Sequence, residues 1–185
     1  MEKILLHTCC APCSIAVIQD LIKTYEVVVY FFNPNIFPYD EYEKRKAEVV
    51  KVCAMWQVRM IDEDYIHQTW QEKVIGLDKE PEGGKRCSVC FDLRLQRTAQ
   101  KAKELGCNIF STTLTSGRYK KAEIINPIGE GIAKANGLKF ISADWKKDGR
   151  QERAQKLVCE NNIYKQKYCG CEFSLKAMEE RESGF

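Results

Sequence analysis

The chain has 185 residues, is 44% hydrophobic and 30% charged, and carries a formal net charge of +3. That composition excludes a disordered, fibrous or membrane-spanning polypeptide. It fits one domain, able to bury roughly two-thirds of its unfolded surface. A charge this small does not by itself define a nucleic-acid-binding protein.

The apolar run Lys3–Thr8 predicts a first strand, and Ser14 stands where a helix N-cap is expected before Ile15-Ala16-Val17-Ile18. Glu26–Phe32, β-branched and aromatic, predicts a buried strand ending at Asn33-Pro34. Asp40 and Glu43 have capping-box spacing for a helix running to about Trp56. Val58–Ile61 predicts a third strand, and Tyr65–Ile75 a short amphipathic helix. A polar stretch, residues 78–85, leads to Cys87 and Cys90 at the start of a helix that Gly106 terminates.

Asn108–Leu114 predicts a fourth strand, and Asn126-Pro127 reads as N-cap and N1 of a helix ending near Gly137. Leu138–Ala143 is a fifth strand; helices near Arg150–Glu160 and Ser174–Arg181 follow. Strands alternating with helices imply a three-layer α/β/α domain over residues 1–185, around a mostly parallel sheet of about five strands. A C-terminal segment, residues 164–185, carries a Cys-Gly-Cys. Ligands in such sheets sit beyond the carboxyl ends of the strands. Cys9, Cys10 and Cys13, the 112–121 segment and residues 144–149 all fall on that rim.

Seven of the ten cysteines lie in three short groups: Cys9/Cys10/Cys13, Cys87/Cys90 and Cys169/Cys171. Met1–His7 is too short for a secretory hydrophobic region, so the expected compartment is the cytoplasm, with no membrane partner. In a reducing compartment, clustered thiols read as metal or redox chemistry rather than as a disulfide framework. With only two histidines in the chain, a metal site must be sulfur-rich.

Cys87 and Cys90 open a helix, where the dipole favours thiolates. Alone they fit half a zinc site, a dithiol or two cluster ligands. With Cys9 and Cys10 they complete four thiolates, suited to a [4Fe–4S] cluster, while Cys13 is a possible additional ligand. A four-cysteine zinc site is the bland alternative. Gly170 lets Cys169 and Cys171 approach each other in a redox-active disulfide, or converge on a second metal. Cys53, Cys107 and Cys159 read as small core hydrophobes.

Cations interleaved with aromatics or glycine occur at Arg118-Tyr119-Lys120-Lys121, Lys146-Lys147-Asp148-Gly149-Arg150 and Tyr164-Lys165-Gln166-Lys167-Tyr168. Arg118, Lys120, Lys121, Lys146, Lys147, Lys165 and Lys167 are candidate phosphate contacts; Tyr119 and Trp145 are candidate stacking surfaces.

Taken together, several stretches resemble the cobalamin-independent epoxyqueuosine reductases, the QueH family. They are His7-Thr8-Cys9-Cys10-Ala11-Pro12-Cys13-Ser14, Asn33-Pro34-Asn35-Ile36, Arg86-Cys87-Ser88-Val89-Cys90-Phe91-Asp92-Leu93-Arg94, Thr112-Thr113-Leu114-Thr115-Ser116, Asp144-Trp145-Lys146-Lys147 and the 164–171 segment. The resemblance implies reductive removal of the epoxide oxygen of epoxyqueuosine at the wobble position of tRNA. It also implies an iron–sulfur centre and a layered nucleotide-hydrolase-like (HUP) fold related to the Rossmann type. The Ser-Gly-Gly-x-Asp-Ser phosphate loop of ATP-using relatives is replaced by Cys9–Ser14, so no ATP use is expected.

A two-electron reduction needs a second electron store. That gives Cys169, Cys171 or a second iron a role, with electrons from an unidentified donor. Asp92 is the preferred further iron ligand or acid–base group; His7 and Tyr168 are weaker proton donors. A tRNA-thiolating iron–sulfur enzyme and a non-catalytic zinc-containing RNA-binding module are the competing readings.

Overall fold

The structure is a computed structural model that describes residues 1–117 and 119–184. The elements run β1 (Glu2–His7), α1 (Ala11–Leu21), β2 (Tyr25–Phe31), α2 (Tyr39–Met55), β3 (Arg59–Asp62), α3 (His67–Lys73) and α4 (Lys85–Glu104). They continue with β4 (Ile109–Thr112), a 3-10 turn (Leu114–Ser116), α5 (Ala122–Asn136), β5 (Lys139–Phe140), α6 (Arg150–Glu160) and α7 (Glu172–Glu182). The five strands form one sheet in the order β3-β2-β1-β4-β5, and every pairing is parallel. The expected α/β architecture with a five-stranded parallel sheet is what the chain builds.

Strand periodicity explains the layering. Ile4, Leu6, Val27, Val29 and Phe31 point to one face and join the apolar side chains of α1, α2 and α6. Leu5, Val28, Tyr30 and Phe110 point to the other, against Phe91, Leu95 and Ala99 of α4 and Ile125 and Ile132 of α5. Both faces of the sheet are covered, as parallel sheets require. From β1 the chain winds outward to β2 and β3, then returns to the other side of β1 for β4 and β5. The direction of winding reverses between β1 and β4, the position at which ligands bind in sheets of this kind.

Several helix starts differ from expectation. Cys10 caps α1 with extended backbone and Pro12 lies in its first turn, while Ser14 is inside the helix and donates to the Ala11 carbonyl at 3.1 Å. Pro38 precedes α2, so Asp40 and Glu43 are helical residues and form no capping box. Helix α5 starts at Ala122, leaving Pro127 inside it; Asn126 donates instead to the Ala143 carbonyl at 3.4 Å. Gly106, at φ +66°, does end α4 as expected. Among the described residues no helix is long and apolar enough to cross a membrane.

Candidate functional site: a sulfur-rich rim at the sheet switch point

The first sulfur group follows from the turn between β1 and α1. Thr8 still bonds β2 through its N–H to the Tyr30 carbonyl at 2.9 Å, and Asn33 Nδ2 donates to the Thr8 carbonyl at 2.9 Å. Cys9 and Cys10 therefore leave the strand in a fixed direction, and Cys13 returns one helical turn later. Their three Sγ atoms lie within 4.8 Å of one another, with 3.8 Å between those of Cys9 and Cys10.

This crowding sorts the protons. S–H donors from Cys10 and Cys13 hold the Cys9 thiol well below its usual range, helped by Lys120 and Arg94 against the cost of burial. Cys13 works to lower Cys10, but the Cys9 thiolate and burial together push Cys10 up to about 12. Hydrogen bonds to the other two thiols, together with burial, raise Cys13 further. One thiolate is comfortable here, and ionising all three requires a metal cation.

The second group sits at the start of α4. Glu80 Oε2 accepts from the Lys85 N–H at 2.9 Å, a side-chain cap that the Gly83-Gly84 turn makes possible. The Gly83 N–H donates to Cys87 Sγ at 3.2 Å. Burial pushes Cys87 up to about 11; the Gly83 bond opposes this, and Cys169, Cys90 and Cys171 add to the rise. Cys90 packs with Trp70, Val74, Cys171 and Phe173.

The third group is strapped down through its backbone. Arg45, 2% exposed, donates from Nη1 to the Cys169 carbonyl (2.8 Å) and from Nη2 to the Tyr168 carbonyl (3.1 Å), while its Nε bonds Glu41 Oε1 (2.7 Å). The Phe37 N–H donates to the Gly170 carbonyl at 2.8 Å, and the Gly170 N–H to Ser174 Oγ at 3.1 Å. Gly170 lies at φ +143°, where a side chain would also press on Arg45.

Two cations tie the groups together. Lys120 is buried with Nζ 3.9 Å from Cys9 Sγ, and although burial opposes its charge, Cys169, Cys9 and Cys13 hold its pKa above the ordinary lysine value. Arg94 is 1% exposed, with Nη1 3.9 Å from Cys90 Sγ and Nη2 2.6 Å from Asn33 Oδ1. Burial raises Cys169, and Lys120 and Arg94 both lower it. Each cation thus acts on thiols of more than one group. Gln166 Nε2 completes the set, donating to Cys10 Sγ at 3.0 Å.

The other expected residues divide. Asp92 is exposed, on a different side of α4 from Cys90, and the structure does not bring it to the thiols. His7 is buried, with Nδ1 2.9 Å from Thr112 Oγ1 and Nε2 3.1 Å from the Phe32 carbonyl. A carbonyl only accepts, so Nε2 carries the proton; burial and then Arg94 lower its pKa to about 3. This neutral imidazole pins β1 to β4. Tyr168 donates its hydroxyl to the Phe37 carbonyl, and burial pushes it up to about 12.

Among the phosphate candidates, Lys121, Lys147, Lys165 and Lys167 are exposed, as is Tyr119. Lys120 is turned inward, Lys146 Nζ bonds the Thr115 and Lys120 carbonyls, and Trp145 is buried with its indole N–H on the Thr112 carbonyl at 2.8 Å. Arg118 lies outside the described residues. Arg94, Arg45 and Gln166 escaped sequence reasoning. Only Arg94 left a signal, four residues after Cys90 on the same helix face.

The doubly wound sheet with thiols where a phosphate loop would stand defines a protein of sulfur-based metal or redox chemistry. The chain belongs to the epoxyqueuosine reductase QueH family, whose sequence model matches residues 4–177. It is 39% identical over 180 residues to epoxyqueuosine reductase QueH of Streptococcus pyogenes serotype M1, covering 94% of this chain and 71% of that one. To the QueH of Thermotoga maritima it is 37% identical over 185 residues, covering 98% and 94%. It is therefore an oxidoreductase of queuosine biosynthesis that reduces epoxyqueuosine. Among solved structures, the U34-tRNA thiolase NcsA from Methanococcus maripaludis, described with its [4Fe-4S] cluster, superposes with a TM-score of 0.58 at 14% identity. That match covers 98% of this chain and 65% of the thiolase, and shows a shared fold.

Proposed function

We propose that the chain removes the epoxide oxygen of epoxyqueuosine as water at the wobble position of tRNA, using iron held by cysteine thiolates at the sheet switch point. The observation that carries this reading is the convergence of Cys9, Cys10 and Cys13 within 4.8 Å beside two buried cations whose close partners include sulfur. Those donors are soft and anionic when ligated, which suits iron–sulfur chemistry. Cys9, Cys10, Cys87 and Cys90 would hold a [4Fe–4S] cluster, leaving Cys13 for a second iron. When bound, such a centre supplies single electrons and a Lewis-acidic metal for the epoxide oxygen.

The chain's own residues supply the rest. Converting an epoxide to an alkene and water consumes two electrons and two protons. Oxidation of the Cys169/Cys171 dithiol to a disulfide releases both pairs, so the strap balances the reaction. An external electron donor then restores the dithiol. Arg45, Phe37 and Ser174 hold the strap by its backbone, and Ser174 Oγ also accepts from the Cys171 thiol at 3.5 Å.

Lys121, Lys147, Lys165 and Lys167 are offered to tRNA phosphates, and Tyr119 to an unstacked base. The modified base must leave the anticodon stack to reach the rim. Protein loaded with iron and sulfide without oxygen, given epoxyqueuosine-containing tRNA and a strong reductant, should yield nucleosides lighter by one oxygen atom in mass spectrometry. Unchanged nucleosides from fully loaded protein would overturn the iron-based reading.

A further inference from the structure

Buried arginines in this fold generally have an evident partner. Arg45 pairs with Glu41, while Arg86 donates to the Leu77 and Asp78 carbonyls and lies over the Phe173 ring. Arg86, like Arg94, has no carboxylate partner and a buried Nε without an acceptor among the described residues, but it faces carbonyls and a ring, whereas Arg94 and Lys120 face sulfur. Among the described residues neither joins an ion pair with a carboxylate. The Lys120 ammonium has three protons to donate and among the described residues approaches one acceptor, Cys9 Sγ at 3.9 Å. Arg94 bonds Asn33 Oδ1 and approaches Cys90 Sγ at 3.9 Å, and its Nε, buried, has no acceptor. Burying a charge without a counter-charge costs several kcal/mol even after the protein relaxes. A chain that buries two such cations against its thiols is built around something negative.

We infer that Lys120 and Arg94 form a counter-charge pair that stabilises the anionic sulfur-held centre and raises its reduction potential. The inference rests on the iron–sulfur reading above and adds to it the residues that set the driving force. Four thiolates around iron and sulfide carry net negative charge, and reduction adds one more. A fixed cation nearby stabilises the reduced form more than the oxidised one. Salt screens buried charges weakly, so the effect persists at physiological ionic strength. Each cation approaches a different sulfur group, Lys120 that of Cys9 and Arg94 that of Cys90, and the charge of both favours a thiolate at Cys169. They are therefore placed to bias cluster and strap together. They are positioning residues, acting through the centre and not on the epoxide.

The test uses Lys120→Met and Arg94→Gln, with Lys120→Arg as the charge-retaining control. Iron and acid-labile sulfide are counted after anaerobic reconstitution. The midpoint potential is measured by a spectroscopically monitored redox titration, and the melting temperature is measured on metal-free protein. Loaded Lys120→Met should be harder to reduce by about tenfold or more in equilibrium constant, a shift of about 59 mV to more negative potential for one electron. Arg94→Gln should shift in the same direction, and Lys120→Arg should stay near wild type. Metal-free Lys120→Met should melt close to wild type, because without metal the one close counter-charge it loses is the Cys9 thiolate.

Loaded variants at the wild-type potential would overturn the inference and leave the iron–sulfur reading standing. Metal-free Lys120→Met that melts well below wild type would overturn it too, by showing a structural role. Wild-type protein that takes up neither iron nor sulfide would remove the reading and the inference with it.

Discussion

Substituting Gly170 by alanine tests whether the Cys-Gly-Cys strap is held in one conformation for reaction. Gly170 has φ +143°, and an added Cβ would lie 3.0 Å from Arg45 Nη1, 3.3 Å from Asn35 Nδ2 and 3.3 Å from Ile36 Cγ1. A non-glycine residue in that region costs about 1–3 kcal/mol. Arg45 cannot retreat without weakening its bonds to the Cys169 and Tyr168 carbonyls, and a charged hydrogen bond is worth about 1.5–3 kcal/mol. The combined cost of about 2.5–6 kcal/mol lies at or below the low end of a domain's total stability of about 5–15 kcal/mol, yet is large for one segment. The strap should release while the sheet stays folded.

Local opening favoured by about 3 kcal/mol enlarges the open fraction more than a hundredfold, so alkylation of Cys169 and Cys171 in metal-free protein should accelerate on that scale. Turnover should fall at least tenfold, with iron content unchanged. Gly106→Ala is the control: its φ is +66°, no atom lies within 4 Å of the added Cβ, and about 1–2 kcal/mol of stability should be lost without faster alkylation. A Gly170→Ala protein that alkylates and turns over like wild type would refute the reasoning.

Three further outcomes follow from the same structure. Gly129→Ala places a Cβ 2.5 Å from the Phe140 ring and should cost about 1–3 kcal/mol in denaturant unfolding through overpacking of α5 on β5. Asp20 accepts from Arg150 Nε (2.8 Å), Arg153 Nη2 (2.5 Å) and Lys23 Nζ (3.2 Å), anchoring α6 to α1; partial burial opposes its charge, but these partners hold its pKa below the ordinary value. Asp20→Asn should therefore cost about 1–2 kcal/mol at neutral pH, and the difference should shrink as pH falls from about 4, where the unfolded chain takes up the proton, through the lower pKa of the folded protein. Replacing Lys121, Lys147 and Lys165 together by alanine should weaken tRNA binding and reduce its salt slope by about 0.9 for each phosphate that is no longer neutralised. An unchanged slope would remove these lysines from the interface.

The strands were legible because burial imposes a pattern on them. Glu26–Phe32 could only be a buried strand, and it is β2 within a residue at each end. Helix starts were less legible, because the N-cap residues Cys10, Pro38, Gly84 and Lys121 supply no side-chain hydrogen bond of their own, and at α4 the cap comes from Glu80, before the helix. Asn126 misled because its amide is used across the fold, on Ala143, and not on its own helix. The thiols showed themselves through spacing. Asp92 did not follow Cys90 inward, since two residues correspond to about 200° around a helix axis. Lys120 and Arg94 were hidden by a sound default, that cations face water. Only the folded rim shows them facing sulfur.

The most direct test of that rim is metal analysis of protein isolated without oxygen. The account predicts brown protein containing iron and acid-labile sulfide, both lost in Cys9→Ser and Cys90→Ser variants that remain folded by circular dichroism. Colourless wild-type protein holding stoichiometric zinc, or iron and sulfide retained in full by both variants, would contradict it.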